Sequence, residues 1–487
     1  MKQQLVWTIA GSDSCGGAGV QADLQTFQAF DARGCSVVTA ITAQNTRAIS
    51  AIHYLPAAVV DAQINTLCAE AVPQAVKIGM LGQLAVLPII RHFLKTYTGF
   101  VVLDPLLVSS SGKNLYEGEG DAYLKHLQSL FPYINLLTPN IDEAEKLLQR
   151  KLQSHAEVEQ AASAILNMGV NSVLIKGGHA EDQFSQDYWS NGRESCWLSS
   201  QRLQRNCHGT GCVLSSAIAA NVAAGHDLKD ALVIAKMYVN RGIRLANDDA
   251  VSLLVHEKHA PEDHIDLPFV SPHPLLDQSE KFNQDGLWRQ GLYPVVDSIA
   301  WLKKLLPLGI NILQLRIKDK TGLALESEIQ QAIILAKKYN TKLFINDYWE
   351  LAIRFGAYGV HLGQDDLPRA DLNAIRAAGL RLGISTHCYY EVARAHACQP
   401  SYIACGPIYH TNSKAMAFAP QGITALARWR RTLEYPIVAI GGIHLDNLDA
   451  VMATGVDAVA LISAITAASD PVNAAQQLLM RVNDAAA

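Results

Sequence analysis

Gly209-Thr210-Gly211-Cys212 sets two glycines and a thiol at the head of the apolar helical stretch LSSAIAANVAAG. Glycines let the backbone approach an anion closely, and the free N–H groups at a helix start point towards it. Cys212 falls in the first turn, where the positive end of the helix dipole is expected to favour a thiolate and lower its pKa. A thiolate there could take the proton of a hydroxyl as phosphate arrives. The same four residues also suit an ordinary helix cap over a small buried thiol. A second glycine loop, Gly11-Ser12-Asp13-Ser14-Cys15-Gly16-Gly17-Ala18-Gly19, lies far upstream. Neither loop has the Gly-Lys-Ser/Thr of a P-loop or the form of a protein-kinase glycine loop.

The second half carries a different chemistry. Gln314, Arg316 and Lys318 alternate with Leu315 and Ile317. On a strand this spacing puts two cations and an amide on one face, and the apolar residues face a helix layer. Lone charges lining a barrel mouth are costly without an anion. Asp347 and Asp366 end consecutive candidate strands, and two converging carboxylates suit Mg²⁺ shared with phosphate oxygens. Either aspartate alone would serve as a helix cap. Ser385, then Thr411-Asn412-Ser413-Lys414, Gly441-Gly442 and Ile462-Ser463 follow later strands. They imply two phosphate-binding regions and therefore two phosphorylated substrates.

The elements that must hold these residues come in two patterns. Val6–Ala10, Ser36–Thr42, Ala75–Gly79, Phe100–Asp104, Leu136–Thr138 and Ser172–Lys176 read as strands, with helices such as Val20–Phe30 and Ile141–Leu148 between them. Such alternation implies a parallel sheet covered on both faces. Residues 251–285 break the pattern with scattered His and Pro (His256, His259, His264, His273) and read as a linker without regular metal-ligand spacing. From residue 286 a tighter alternation gives eight strands: Leu292–Val296, Ile312–Ile317, Lys342–Asn346, Gly359–Leu362, Arg381–Ser385, Tyr402–Cys405, Pro436–Ile440 and Ala458–Ile462. Eight βα units predict a closed (β/α)8 barrel with its chemistry at the C-terminal strand ends. The expected domains are therefore 1–250, a linker 251–285, and a barrel 286–487.

Composition narrows the functional classes. The 487 residues are 49% hydrophobic and 17% charged, which suits a globular chain of two or three domains. A net charge of −5 offers no general attraction to nucleic acid or to an anionic membrane. The start MKQQLVWTIAG turns polar too early for a signal peptide, and no apolar run reaches the ~20 residues of a membrane span. Nine scattered cysteines without a C-x-x-C pair suit reduced thiols, so the expected location is the cytoplasm. A homodimer stays open.

Seven blocks in order, TIAGSDSCGGAGVQADLQTF, TAQNT, KIGML, LDP, LTPNIDEAE, LIKGGH and HGTGC, make the first half resemble the hydroxymethylpyrimidine/phosphomethylpyrimidine kinases of the ribokinase-like superfamily. The resemblance implies a three-layer α/β/α fold and ATP-dependent phosphorylation of an aminopyrimidine alcohol and then of its monophosphate. It implies Cys212 as catalytic base, Gln44 on the aminopyrimidine edge, and Gly11, Asp23 and Met80 around the pyrimidine. It also implies that Asn140 and Glu143 order Mg²⁺ and phosphates, and that Lys176, with Asp104 nearby, meets the transferring phosphate, with Gly209 and Gly211 in the phosphate loop. Cys15 and Val213 depart from the usual Ser and Thr. A pyridoxal-type acceptor stays open, because related kinases share G-T-G-C.

QLRIKD, IND, GVHLGQDD, GIST, TNSK, AIGGI and LISAI make the second half resemble the thiamine phosphate synthases. That resemblance implies Gln314, Arg316, Lys318 and Asn346 on a pyrimidine diphosphate and Asp347 and Asp366 on Mg²⁺. Ser385 and Lys414 would act on the leaving pyrophosphate. Thr411, Asn412, Ser413, Gly442, Ile462 and Ser463 would seat a thiazole phosphate. Cys388 replaces a frequent Ser outside these ligands. The rival reading makes the barrel a phosphate sensor without catalysis. The expected partners throughout are small molecules.

Overall fold

The computed structural model describes residues 3–108, 114–117, 120–178, 183–205, 207–247, 252–259, 261–286, 291–411 and 419–486. The chain divides into two compact units, Met1–Pro261 with Ile265–Asp277, and Glu262–His264 with Gln278–Ala487.

The first unit is built on a ten-stranded sheet. Six strands run parallel in the spatial order Val173–Ile175, Leu136–Leu137, Phe100–Leu103, Ala75–Ile78, Leu5–Asp13, Arg33–Gln44. Alternation along each strand decides what the two faces meet. Trp7, Ile9, Val76 and Ile78 pack into one apolar core with Val60, Ile64, Leu87, Ile90, Val158 and Ala161. These come from the helices Ala57–Glu70, Leu87–Thr96 and His155–Leu166. Thr8 and Lys77 point the other way and meet the helices Gly19–Ala29 and Thr210–Ala223 through Asp23 and Ser216. The unit is therefore three-layered.

Antiparallel additions extend both edges, and the sequence pattern did not reveal them. Ile49–Tyr54 pairs with Arg33–Gln44. Phe184–Ser190 and Ser195–Gln201 form a hairpin beside Val173–Ile175. Phe269–Ser271, inside the stretch read as a linker, is the last edge strand and pairs antiparallel with Ser195–Gln201. A three-residue strand is too short to give a period, so its pairing is set only by the neighbouring edge.

The second unit is a closed barrel of eight parallel strands: Gly291–Val296, Ile312–Leu315, Lys342–Asn346, Gly359–Leu362, Arg381–Thr386, Tyr402–Cys405, Ile437–Ile440 and Ala458–Leu461. Tyr293, Phe344, Tyr402 and Val438 fill its interior. Gly383 makes room for Tyr402, since a Cβ there would fall 2.1 Å from the ring. The expected strand through Ile317 ends at Leu315, placing Arg316 and Lys318 in the loop beyond. The alternation nevertheless persists: the Arg316 N–H donates to Val296 O at 2.7 Å, and Leu315 and Ile317 are both buried. Among the described residues no helix is long and apolar enough to cross a membrane.

Candidate active sites

In the first unit, Gly11, Gln44, Met80, Asn140, Glu143, Lys176, Gly209, Gly211 and Cys212 line one cleft of about 1220 Å³. Gly209 is the N-cap of Thr210–Ala223 and has φ 82°, a conformation that glycine adopts without strain. A Cβ on it would sit 1.8 Å from Gly17 O, so the two glycine loops touch backbone to backbone. A Cβ on Gly211 would lie 3.1 Å from Lys176 Nζ. The helix start therefore opens directly onto that ammonium.

Lys176 donates to Asp104 Oδ1 at 2.6 Å, and Asp104 is fully buried. Burial disfavours the Lys176 charge, but Asp104 and Glu143 more than restore it and raise its pKa. Asn140 and Glu143 form a reciprocal cap on Ile141–Leu148, each side chain accepting the other's backbone N–H at 2.8 Å. Burial pushes the Glu143 carboxyl up to about 7 against the pull of Lys176. Asp104 Oδ2 and Glu143 Oε1 are both buried without a hydrogen-bond partner. Two orphaned carboxylate oxygens around one ammonium leave capacity for a further cation.

Two expectations need correction. Asp23 does not line the cleft. It is fully buried behind the wall, where Lys77 Nζ donates to both its oxygens at 2.9 Å, Thr8 to one at 2.6 Å and Ser216 to the other at 2.7 Å. The Cys212 thiol is not lowered either. Burial pushes it up to about 11, and Lys77 only partly offsets that. Desolvation of a small enclosed sulfur outweighs the helix dipole, which acts as about half a charge.

Sequence reasoning missed Asp13 and His208, which also line the cleft. His208 Nε2 lies 3.0 Å from Gln44 Nε2 and 3.3 Å from Asp13 Oδ2, and Thr42 donates to Gln44 Oε1 at 3.2 Å. Burial opposes the Asp13 charge, but hydrogen bonds from His208, Cys15 and Ala18 hold its carboxyl at about 2. The signal was present in HGTGC, where a histidine precedes the loop.

In the barrel, Lys318 pairs with Asp347 Oδ2, and Asp347 sits close enough to Asp366 for their carboxyls to hydrogen-bond. Burial and the Asp347 charge together raise the Asp366 carboxyl above its ordinary range. Two carboxyls beside one ammonium leave oxygen donors of the kind a hard divalent ion takes. Asp347 holds φ 65°, a left-handed turn that aspartate tolerates. Asn346, at the end of its strand, is buried.

A buried polar chain crosses the barrel. Gln314 Nε2 donates to the Tyr293 hydroxyl at 3.3 Å, and Tyr293 meets the Tyr402 hydroxyl at 2.9 Å. Tyr402 meets His361 Nδ1 at 2.7 Å, and His361 Nε2 meets Ser385 Oγ at 2.8 Å. His361 was missed, although one imidazole in the apolar run GVHL was a visible anomaly. Gly442 has φ 66°, and a Cβ on it would sit 2.4 Å from His410 O. Ile462 and Ser463 follow at the eighth strand's end, Ser463 opening a short helix. Thr411 is partly exposed. Asn412, Ser413 and Lys414 lie outside the described residues.

Residues 13–259 match the phosphomethylpyrimidine kinase family and residues 292–465 the thiamine monophosphate synthase family. A thiamine-phosphate synthase of Photorhabdus laumondii is 59% identical over 195 residues, which are 40% of this chain and 90% of that protein. One of Escherichia coli K12 is 56% identical over 193 residues, 39% of this chain and 92% of its own length. The chain belongs to both families, one in each unit.

A pyridoxal kinase of Staphylococcus aureus, solved with AMP-PCP and pyridoxal, is 30% identical, with a TM-score of 0.50 over 56% of this chain and 98% of that one. The kinase unit thus has the ribokinase-like α/β/α fold, and the synthase unit is a (β/α)8 barrel. This is a bifunctional transferase of thiamine biosynthesis, and its kinase unit implies the use of ATP.

Proposed function

We propose that the kinase cleft phosphorylates 4-amino-5-hydroxymethyl-2-methylpyrimidine and then its monophosphate, and that the barrel joins the diphosphate to thiazole phosphate. The observation that carries the first step is the meeting of the Gly209–Cys212 helix start with Lys176 and the orphaned oxygens of Asp104 and Glu143. The N–H groups of Thr210, Gly211 and Cys212 face the transferring phosphoryl group, and Lys176 neutralises its charge. Gln44 and Met80 hold the pyrimidine. Cys212 takes the proton of the attacking hydroxymethyl group. Because burial holds it as a thiol in the free cleft, its deprotonation depends on the nearby cations Lys77 and Lys176.

Mg²⁺ fits both donor sets, Asp104 with Glu143 in the kinase and Asp347 with Asp366 in the synthase. When bound it would neutralise phosphate charge.

In the barrel, Gln314 and Asn346 hold the pyrimidine, and Arg316 and Lys318 hold the diphosphate. The C–O bond to the diphosphate breaks, its electron pair leaving with pyrophosphate. The electron-rich aminopyrimidine carries the resulting methylene cation, and the thiazole nitrogen supplies the pair that closes the new C–N bond. Ser385, oriented by His361, donates to the departing pyrophosphate, and Lys414 adds charge to it. Thr411, Asn412, Ser413, Gly442, Ile462 and Ser463 seat the thiazole phosphate. All the reactants are small soluble molecules, which suits an enzyme of the cytoplasm.

One coupled assay tests this. Hydroxymethylpyrimidine, ATP, Mg²⁺ and thiazole phosphate should give thiamine phosphate, ADP and pyrophosphate. ADP release only with pyridoxal as acceptor would reassign the kinase cleft, and absence of pyrophosphate from added pyrimidine diphosphate would make the barrel a sensor.

A further inference from the structure

The last residue of the strand Leu5–Asp13, the loop after it and the residue preceding the Gly209 loop bring a carboxylate, a thiol and an imidazole together. Asp13, Cys15 and His208 each offer one ligand atom, and the three atoms lie within 4.8 Å of one another. Cys15 Sγ is 3.3 Å from Asp13 Oδ2, and His208 Nε2 is also 3.3 Å from that oxygen. Tetrahedral Zn²⁺, with bonds of about 2.0 Å to O or N and about 2.3 Å to S, sets donor–donor edges of roughly 3.3–3.5 Å. Two of the three edges already have this length.

The cluster is held from behind. Asp13 accepts the backbone N–H of Cys15 at 3.0 Å and of Ala18 at 2.8 Å. Gly17 lies against the His208 ring, where a Cβ would approach Cδ2 to 2.8 Å. Thiolate, imidazole and carboxylate together select a borderline-soft ion over Mg²⁺, which takes oxygen ligands in an octahedron.

We propose that Asp13, Cys15 and His208 bind a thiophilic divalent metal, zinc in the first instance, and that its binding switches off the kinase. The fourth position stays with water. The Cys15 S–H bond breaks as the S–Zn bond forms, and one proton passes to solvent. Zinc takes a lone pair at His208 Nε2, so the hydrogen this nitrogen gave to Asp13 moves to Nδ1 of the ring; Gln44 Nε2 lies 3.0 Å from the same nitrogen. Gln44 thereby loses His208 as a neighbour of its amide nitrogen, while Thr42 still donates to its amide oxygen. Inhibition rests on the reading of Gln44 as an acceptor-binding residue, whereas metal binding does not.

The test uses the full chain, stripped of metal, titrated with Zn²⁺ against a chromophoric chelator and with Co²⁺ for its thiolate charge-transfer band. Wild type should bind one ion that Cys15→Ser loses, with affinity falling about 100-fold or more, as expected for removing a metal ligand rather than its supporting partner. Cys15→Ser should keep kinase activity and resist zinc, and pyrophosphate release by the synthase should not respond to zinc in either protein. Unchanged affinity in Cys15→Ser, or loss of the cobalt band in Cys207→Ser instead, overturns the site. Zinc held through Cys15 without inhibition overturns the switch alone. A zinc-free enzyme with no kinase activity points instead to an error in the reading of the cleft.

Discussion

Lys77 and Asp23 form an ion pair at 2.9 Å in which neither side chain meets solvent. Lys77 rises from the sheet and Asp23 descends from Gly19–Ala29, while Ser216, one turn beyond Cys212, donates to the same carboxylate. Burial alone would strip the ammonium of its charge, yet the carboxylate raises its pKa. Lys77→Met should destabilise the kinase unit by about 3–5 kcal/mol, because it leaves Asp23 buried and uncompensated. Lys77→Met with Asp23→Asn should recover most of that loss. Denaturant titration of the three proteins decides, and a single variant as stable as wild type would remove the pair from the account of this core.

Cys212→Ala should lower kinase turnover by about 10²–10⁴-fold, the range for a lost proton acceptor, and spare the synthase. Gly211→Ala probes the same corner by space rather than chemistry. Alanine favours the helix by up to ~1 kcal/mol, so the fold should hold. The new methyl would stand 3.1 Å from Lys176 Nζ and should depress the kinase. ADP and pyrophosphate release, measured separately for each variant, would show whether either change reaches both reactions, as independent sites forbid.

Asp366→Asn should raise the Mg²⁺ concentration needed for half-maximal pyrophosphate release and leave ADP release unchanged. It removes one of two adjacent carboxyls, the one whose pKa burial and the Asp347 charge raise. A variant with wild-type Mg²⁺ dependence would exclude Asp366 as a ligand.

His396 is buried against the Tyr435 hydroxyl at 2.9 Å. Burial, aided by His264 and Lys281, pushes its pKa from 6.5 down to about 3. Between those values the unfolded chain takes up a proton that the folded barrel refuses. Its contribution to stability is therefore complete above pH 6.5 and is lost as pH falls towards 3. His396→Asn should flatten the acid side of the barrel's stability profile, measured by denaturant midpoints from neutral pH downwards. An unchanged slope would assign the acid loss to other groups.

The spacing of residues along the chain was enough to determine the alternating strands and helices, the eightfold repeat of the second unit, and the glycine loop that opens a helix at Cys212. These are local facts: period, breakers and caps act over a few residues, so they can be read without the fold. The order of blocks was likewise sufficient for both families. Three matters were decided only by the tertiary structure. Asp23 looked like a pocket residue until Lys77, 54 positions away, was found to occupy it. Cys212 looked like a thiolate until packing removed its water. Asp13 and His208 are 195 positions apart and became neighbours only when two glycine loops met backbone to backbone. Desolvation and long-range pairing depend on which distant atoms exclude water, and linear spacing carries no record of that.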